Sequence, residues 1–362
     1  MSETNLFPYI SPFLGPVEFQ TEVIQDGHIH DGWYIHANND RYPETILQKV
    51  NTHVFTDPEG LMQNIYQITS YLQKNNPSQK QLNLIPTASG KIYYRALDGS
   101  IWRMYERIPH CYSTQITQNL SQVYEAGRVI GYFLKQLQDY PVHSLNISIP
   151  DFHNTPKRYQ DFLQTLSTAD AELVQAVQPE IEILHERSDQ FGLFWEALYK
   201  QRLPWRVTHN DTKLDNILFD MDTDQAICLI DLDTIMPGSA LFDFGDALRA
   251  MGNPSAEDEA DLGNVEFQMP VFETFTQGYL SATGDILTEQ EISWLALSPW
   301  LITIEIGMRF LTDYLQGNQY FRIHYPQQNL NRCRTQFKLA SDMEAQQSLM
   351  ESIVQEISKS IV

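Results

Sequence analysis

Two kinds of hydrophobic patterning divide the chain. From Glu18 to about Arg107, short apolar runs separated by turn residues predict extended strands. Within this part, Thr45 to Asn51 alternates apolar and polar side chains, as a half-buried strand does. A helical pattern then begins at Asp57 and Pro58, because aspartate caps helix N-termini and proline suits the first helical turn. This first part of the chain therefore predicts an α+β unit.

The pattern changes after Pro109 to long amphipathic segments. Between Leu120 and Leu137, for example, apolar residues recur at three- and four-residue spacing, which predicts a helix. A chain of 362 residues also exceeds the size at which one core stops growing, roughly 250 to 300 residues. We therefore predict two lobes, a strand-rich lobe over residues 1–108 and a mainly helical lobe over residues 109–362.

Charge and cysteine content narrow the classes of protein. The net charge is −22, from 46 acidic and 24 basic side chains, which disfavours nucleic acid and anionic membrane surfaces as partners. The three cysteines, Cys111, Cys228 and Cys333, are widely separated and form no CxxC pair. No signal peptide or apolar run of roughly 20 residues is evident. We expect a cytoplasmic protein, either a monomer or a weak homodimer.

The polar residues between Val207 and Asp246 have an order that packing does not explain. Asp211 and Asn216 lie five positions apart on a predicted loop, and a buried strand downstream ends at Asp231. Buried carboxylates are costly unless they are paired or bind metal. Phosphoryl transfer needs a carboxylate base together with an amide and a carboxylate that hold Mg²⁺. These residues therefore predict a phosphotransferase that uses ATP and Mg²⁺.

The same motifs carry a family resemblance. HNDTKLDN resembles the H-x-D-x-x-x-x-N catalytic loop of aminoglycoside phosphotransferases, choline kinases and protein-kinase-like folds, and IDLD resembles their metal-binding motif. The resemblance is closest to the N-acetylhexosamine 1-kinases and covers most of the chain. It rests on Gly27–Asp31, Gln48–Phe55, Thr208–Lys213, Ile230–Gly238, Asp243–Asp246, Ile306–Leu315 and Gln319–His324. It implies a bilobal protein-kinase-like fold in which residues 1–108 bind nucleotide and residues 109–362 carry catalysis and acceptor binding.

The resemblance also implies roles for residues of the catalytic segment. Asp211 becomes the catalytic base, and Lys213 stabilises the phosphoryl group in transfer. Asn216 and Asp231 become Mg²⁺ ligands, and Asp233 is assigned beside them. The residues themselves leave a second possibility open for Asp233, namely a buried hydrogen-bond acceptor that braces the catalytic loop.

Six further residues are assigned to the two substrates. At the nucleotide, the resemblance implies Gly27 in the phosphate-covering loop, Lys49 on phosphate and Glu59 as the partner of Lys49. At the acceptor, it implies Arg309, Tyr320 and Asp31. The implied reaction is phosphorylation of a sugar, most specifically the anomeric 1-hydroxyl of an N-acetylhexosamine.

Two alternatives remain open. The acceptor could be another small alcohol, such as choline, ethanolamine, an aminoglycoside or a different sugar. A cationic acceptor predicts carboxylates or an aromatic cage, whereas a sugar predicts neutral hydrogen-bonding groups around Arg309. A catalytically inactive kinase-like binding module would be expected to lack Asp211, Asn216, Asp231 or Lys49, and all four are present.

Overall fold

An antiparallel sheet forms the N-terminal part of the protein. The computed structural model describes residues 5–24, 29–38, 42–117 and 119–361. The sheet has the order β1-β2-β3-β5-β4. Its strands are β1 (Phe19–Val23), β2 (Asp31–Ala37), β3 (Thr45–Lys49), β4 (Tyr94–Arg95) and β5 (Ile101–Glu106).

Two helices cover opposite faces of this sheet. Helix α1 (Phe7–Leu14) packs Ile10 against Leu47 and Met104 on one face. Helix α2 (Pro58–Asn75) covers the other face, where Val50 and Tyr105 join the main core of the protein. Because side chains alternate along a strand, each position of β3 and β5 is committed to one of these faces.

The C-terminal part is built mainly from helices. They are α3 (Leu120–Gln136), α4 (Thr155–Thr168), α5 (Ala171–Ala176), α6 (Gln178–Arg187), α7 (Leu193–Tyr199), α8 (Ala240–Met251), α9 (Met269–Thr283), α10 (Glu289–Trp294), α11 (Ser298–Leu315) and α12 (Gln328–Ile361). Helices α3 and α9 cross at Gly127 and Gly278. A Cβ atom on Gly278 would lie 2.0 Å from the carbonyl oxygen of Tyr124, so only glycine allows this close approach.

Short strands in the C-terminal part position the predicted catalytic segment. Strand β8 (Ile217–Asp220) lies between β6 (Cys111–Tyr112) and β9 (Ala226–Leu229), and β7 (Arg206–Thr208) pairs with β10 (Met236–Gly238). All these pairs are antiparallel. The loop between β7 and β8 therefore lies beside the segment that joins β9 to β10.

The predicted α+β, bilobal protein-kinase-like fold is confirmed. The division into residues 1–108 and 109–362 stays a prediction. Among the described residues, no helix combines the length and apolar character needed to cross a membrane.

Candidate active site

Helix α8 braces the loop that carries Asp211. Asp243 accepts hydrogen bonds from the backbone N–H groups of His209 (2.9 Å) and Asn210 (2.7 Å), and Asp246 accepts one from Thr212 (3.0 Å). Both carboxylates are buried. Asn210 has a φ of 65°, in the left-handed region that asparagine tolerates better than most residues. The two aspartates thus satisfy backbone groups that this irregular loop leaves unpaired.

His209 joins the catalytic loop to the neighbouring acidic segment. Its Nδ1 accepts the N–H of Asp211 at 3.3 Å, so the ring proton lies on Nε2. Nε2 donates to the carbonyl oxygen of Ile230 at 2.9 Å. Asp211 is therefore fixed relative to Asp231, the residue after Ile230.

Asp211, Lys213 and Asn216 form one hydrogen-bonded group. The Asn216 amide nitrogen donates to the carbonyl oxygen and to Oδ2 of Asp211, both at 2.9 Å. The Lys213 ammonium lies 3.6 Å from Asp211 Oδ2 and 3.7 Å from Asp215 Oδ2. Burial lowers the pKa of Lys213, but Asp211 and Asp215 outweigh this effect and raise it above its usual range. Lys213 is therefore held as a cation beside Asp211, and Asp211 Oδ1 has no donor among the described residues.

Asp231 is a carboxylate without a donor. It adopts a left-handed backbone conformation with φ 59° and ψ 59°, a strained geometry that concentrates at functional sites. Its side chain receives neither a hydrogen bond nor an ion pair from the described residues. Burial, followed by the charges of Asp233 and Asp211, raises the pKa of Asp231 to about 6. A cation would stabilise this carboxylate.

Asp233 has the opposite environment. Arg103 of β5 binds both of its oxygens, with Nη2 at 2.9 Å from Oδ2, and His30 Nε2 contacts the same Oδ2. The N–H of Asn51 donates to His30 Nδ1 at 3.0 Å, so the His30 ring donates from Nε2. Burial raises the pKa of Asp233, but Arg103 and His30 outweigh burial and hold it well below its usual range. Asp233 therefore links the catalytic segment to the sheet.

A second group of side chains lies on the other side of the catalytic loop. The guanidinium carbon of Arg309 on α11 lies 5.1 Å from the ring centroid of Phe152, 5.9 Å from Tyr320 and 5.6 Å from Phe321. Arg158 of α4 donates to the carbonyl oxygen of Phe152 at 3.3 Å. We refer to these five residues as the acceptor-side cluster, and to Asp211, Asp231 and Asp233 as the acidic centre.

The acceptor-side cluster adjoins the catalytic loop through His153. This residue follows Phe152 in the chain, and its Nε2 lies 3.4 Å from the carbonyl oxygen of Asn210, the residue before Asp211. The structure thus brings the predicted residues Arg309 and Tyr320 together, and it places them on the catalytic-loop side of the helical lobe.

Comparison with known proteins identifies the family. A model described as the phosphotransferase enzyme family, abbreviated APH, matches residues 20–285, well over half of the chain. The chain belongs to this phosphotransferase family. The predicted resemblance to the aminoglycoside phosphotransferase and choline kinase group is therefore confirmed, and N-acetylhexosamine specificity stays a prediction.

Solved structures share the fold of this phosphotransferase at low sequence identity. It is similar to an aminoglycoside phosphotransferase from Alicyclobacillus acidocaldarius, with a TM-score of 0.61, 14% identity and 98% of each chain covered. It is also similar to a microcompartment-associated aminopropanol kinase, with a TM-score of 0.60, 15% identity, and 93% of this chain and 95% of the kinase covered. It is similar as well to a choline kinase from Cryptosporidium parvum, with a TM-score of 0.56, 15% identity, and 94% of this chain and 92% of the kinase covered.

The phosphotransferase does not bring Lys49 to its acidic centre. In the β3–β5 register Lys49 lies opposite Trp102, on the face covered by α1, whereas Gln48 lies opposite Arg103 on the other face of the sheet. Arg103 Nε donates to Gln48 Oε1 at 2.9 Å, which confirms the face that both residues share. Arg103 was missed by sequence reasoning, although a charged residue between Trp102 and Met104 in an apolar strand is a usable signal.

Two other predicted residues of the phosphotransferase, Glu59 and Asp31, do not contact the acidic centre. Glu59 is exposed and pairs with Arg95 at 2.8 Å instead of Lys49. Asp31 is exposed at the start of β2, opposite Lys49 in the β2–β3 register. Gly27 lies outside the described residues.

The donor set of the phosphotransferase fits Mg²⁺ at Asn216 and Asp231. No group of three or more His, Cys, Asp or Glu side chains is arranged to hold a metal ion in the described part of the chain. Mg²⁺ in kinases, however, usually takes one or two protein oxygens and completes its shell with phosphates and water. The Asp231 carboxylate lacks a donor, and Asn216 uses its nitrogen on Asp211, which leaves its amide oxygen for metal. Both oxygens of Asp233 already bind Arg103 and His30, so this geometry does not support Asp233 as a third ligand.

Proposed function

We propose that this phosphotransferase transfers the γ-phosphoryl group of ATP to a sugar hydroxyl, most specifically the anomeric 1-hydroxyl of an N-acetylhexosamine. The observation that carries the phosphotransfer is the pairing of Asp211 with Asn216 beside the donor-free carboxylate of Asp231. The sugar assignment rests on the motif resemblance and on the uncharged rings around Arg309.

Asp211 acts as the catalytic base in this proposal. Asn216 fixes its Oδ2, so the free Oδ1 orients the acceptor hydroxyl and accepts its proton as the oxygen bonds to the γ-phosphorus. Lys213 is held as a cation next to this position and offsets the charge that develops on the transferring group. Most of the rate enhancement then comes from positioning and electrostatics.

Asn216 and Asp231 would hold Mg²⁺ against the nucleotide phosphates. The ion, when bound, offsets the negative charge of those phosphates. Asp233 has a different role in the proposal: with Arg103 and His30 it fixes the short segment that presents Asp231.

Amino alcohols are the main alternative acceptors, because two of the similar structures are named as an aminopropanol kinase and a choline kinase. A cationic acceptor requires carboxylates or free aromatic faces. In the acceptor-side cluster the rings of Phe152, Tyr320 and Phe321 already face the cation of Arg309. This arrangement repels a second cation and favours a sugar.

The proposal is tested by incubating the purified protein with Mg-ATP and single acceptors, and by measuring ADP and the phosphorylated product. The panel contains N-acetylglucosamine, N-acetylgalactosamine, galactose, glucose, choline and an aminoglycoside. We expect an N-acetylhexosamine 1-phosphate from the wild type. Turnover of choline or the aminoglycoside alone would contradict the sugar assignment.

The Asp211→Asn variant tests the assigned base in the same assay. We expect kcat to fall by about 10³-fold, within the usual contribution of a positioned base, while the melting temperature stays unchanged. A variant that keeps more than about a tenth of wild-type kcat would show that another group accepts the proton.

A further inference from the structure

Arg309 is a cation without an anionic partner in the described part of the chain. Among the described residues it makes neither a hydrogen bond nor an ion pair, and its guanidinium is surrounded by the rings of Phe152, Tyr320 and Phe321. Such ring contacts stabilise a cation but leave the N–H groups at its edge available. The fork of an arginine matches carboxylate and phosphate oxygens particularly well.

Arg158 is a second cation in the same cluster. Among the described residues, its buried Nε has no hydrogen-bond partner, and its guanidinium donates only to the carbonyl oxygen of Phe152. Burial lowers the pKa of Arg158, and the charge of Arg309 lowers it further. Both guanidinium groups also contact Phe152, Arg309 at its ring and Arg158 at its carbonyl oxygen, so the two cations lie close enough to repel each other.

The acids nearest to Arg158 are already engaged. Glu305 accepts hydrogen bonds from His153 Nδ1 at 2.9 Å and from Thr155 Oγ1 at 2.5 Å. Asp161 pairs with Lys157 on the surface of α4. An unpaired, partly buried cation is costly, and this protein has a net charge of −22 with many carboxylates available. Two neighbouring arginines left without a carboxylate thus require a reason other than stability.

Hydrogen bonds from the helical lobe hold the acceptor-side cluster in place. Asp313, buried on α11, accepts hydrogen bonds from the backbone N–H groups of Gln319 (2.8 Å), Tyr320 (2.7 Å) and Phe321 (3.0 Å). These bonds hold the two rings against Arg309. Because His153 connects the cluster to the loop of Asp211, a ligand held here has one end at the arginines and the other toward the base.

We infer that Arg158 and Arg309 form an anion-recognition subsite, and that the preferred acceptor carries a carboxylate, phosphate or sulfate group in addition to the hydroxyl that is phosphorylated. This inference rests on the proposed function, because it specifies the acceptor class of the same site. The preferred substrate is then an acidic or anionically substituted hexosamine, and neutral N-acetylhexosamine is a weaker substrate.

The experiment compares matched acceptors in the Mg-ATP assay. N-acetylglucosamine is measured against its 6-phosphate, its 6-sulfate and N-acetylmuramic acid, which separates phosphate, sulfate and carboxylate as the source of the anion. We expect kcat/KM for at least one anionic member to exceed that of the neutral parent by about tenfold or more, equivalent to about 1.4 kcal/mol. Preference for the neutral parent over all three would overturn the inference.

Variants show whether the two arginines cause the preference. In Arg309→Gln and Arg158→Gln, KM for the anionic acceptor should rise toward that of the neutral parent, while KM for ATP stays constant. The lysine variants at both positions should restore part of the preference. Arg187→Gln is the matched control, because Arg187 pairs with Glu344 away from the cluster. A preference that survives both glutamine variants would contradict the assignment.

Measured affinities for the sugars distinguish a failure of this inference from a failure of the proposed function. If no acceptor is phosphorylated, affinities for the same four sugars are measured by calorimetry with a non-hydrolysable ATP analogue and Mg²⁺. Tighter binding of an anionic sugar that is lost in both glutamine variants would retain the subsite although the kinase proposal fails. Equal or absent binding of all four sugars would overturn the subsite as well.

Discussion

Asp233 of the acidic centre and the two arginines of the acceptor-side cluster differ in whether their charges are paired. Asp233 is neutralised by Arg103 and His30, which come from the sheet. Arg158 and Arg309 in the acceptor-side cluster have no carboxylate partner among the described residues. Paired buried charges hold two parts of the fold together, whereas unpaired charges increase the free energy of the ligand-free protein. The difference indicates that the Asp233 pair serves the fold, whereas the two arginines serve ligand binding.

The largest expected effect on stability comes from breaking the Asp233 pair. Asp233→Asn leaves the buried guanidinium of Arg103 without a counter-charge, which costs about 3–5 kcal/mol in the free energy of unfolding. Equilibrium denaturation measures this loss. Glu59→Gln is the matched control, because the Glu59–Arg95 pair is exposed and contributes little to stability.

The Asp233 prediction can be tested further with a double variant. Asp233→Asn combined with Arg103→Met should recover part of the lost stability, since the uncompensated cation is then gone. A double variant that is no more stable than Asp233→Asn alone would show that the ion pair is not the source of the loss.

Asp313→Asn is expected to disturb the acceptor-side cluster selectively. In the wild type the Asp313 carboxylate accepts these backbone N–H groups. The amide nitrogen of asparagine cannot accept a hydrogen bond, so the loop of Tyr320 should loosen at a cost of about 1–3 kcal/mol. Steady-state kinetics should show a several-fold rise in the acceptor KM. An equal rise in the KM for ATP would indicate general destabilisation instead of a local role in positioning.

Removing an unpaired cation should stabilise the protein slightly. Arg158→Met retains much of the side-chain volume and eliminates the repulsion with Arg309, so we expect a gain of about 0.5–1 kcal/mol together with weaker acceptor binding. Thermal unfolding without ligands measures the gain. A clear loss of stability would mean that Arg158 contributes to the fold and is not reserved for a ligand.

The smallest effect is expected at Lys49. Because Lys49 lies on the α1 face of the sheet, Lys49→Met should change the KM for ATP by less than about threefold, or about 0.7 kcal/mol. Nucleotide titration in the acceptor assay provides the measurement. A rise of tenfold or more would show that the lysine reaches the phosphates despite its place in the register.

Contacts between residues close in the sequence were easier to predict than contacts that depend on distant parts of the chain. Asp211 and Asn216 were predicted from a spacing of five residues, and they are hydrogen-bonded in the structure because one short loop contains both. Lys49 was assigned to the nucleotide phosphates from local sequence alone, yet the face of the sheet on which it lies depends on where α1 packs. The Glu59–Lys49 pair failed for a related reason, since Arg95 on a neighbouring strand is the partner of Glu59.

The α+β order of elements, the loop of Asp211 and the acids at the end of β9 could be predicted from the sequence, because they depend on periodicity and on neighbours a few residues apart. Which of these acids lacks a partner depends on the folded structure. Asp231 and Asp233 are two residues apart, but Arg103 reaches Asp233 from 130 positions away and leaves Asp231 without a donor. The fold also brought Arg158 and Arg309 to the same residue, Phe152. Burial and long-range charge set the state of these groups, and neither can be read from local spacing.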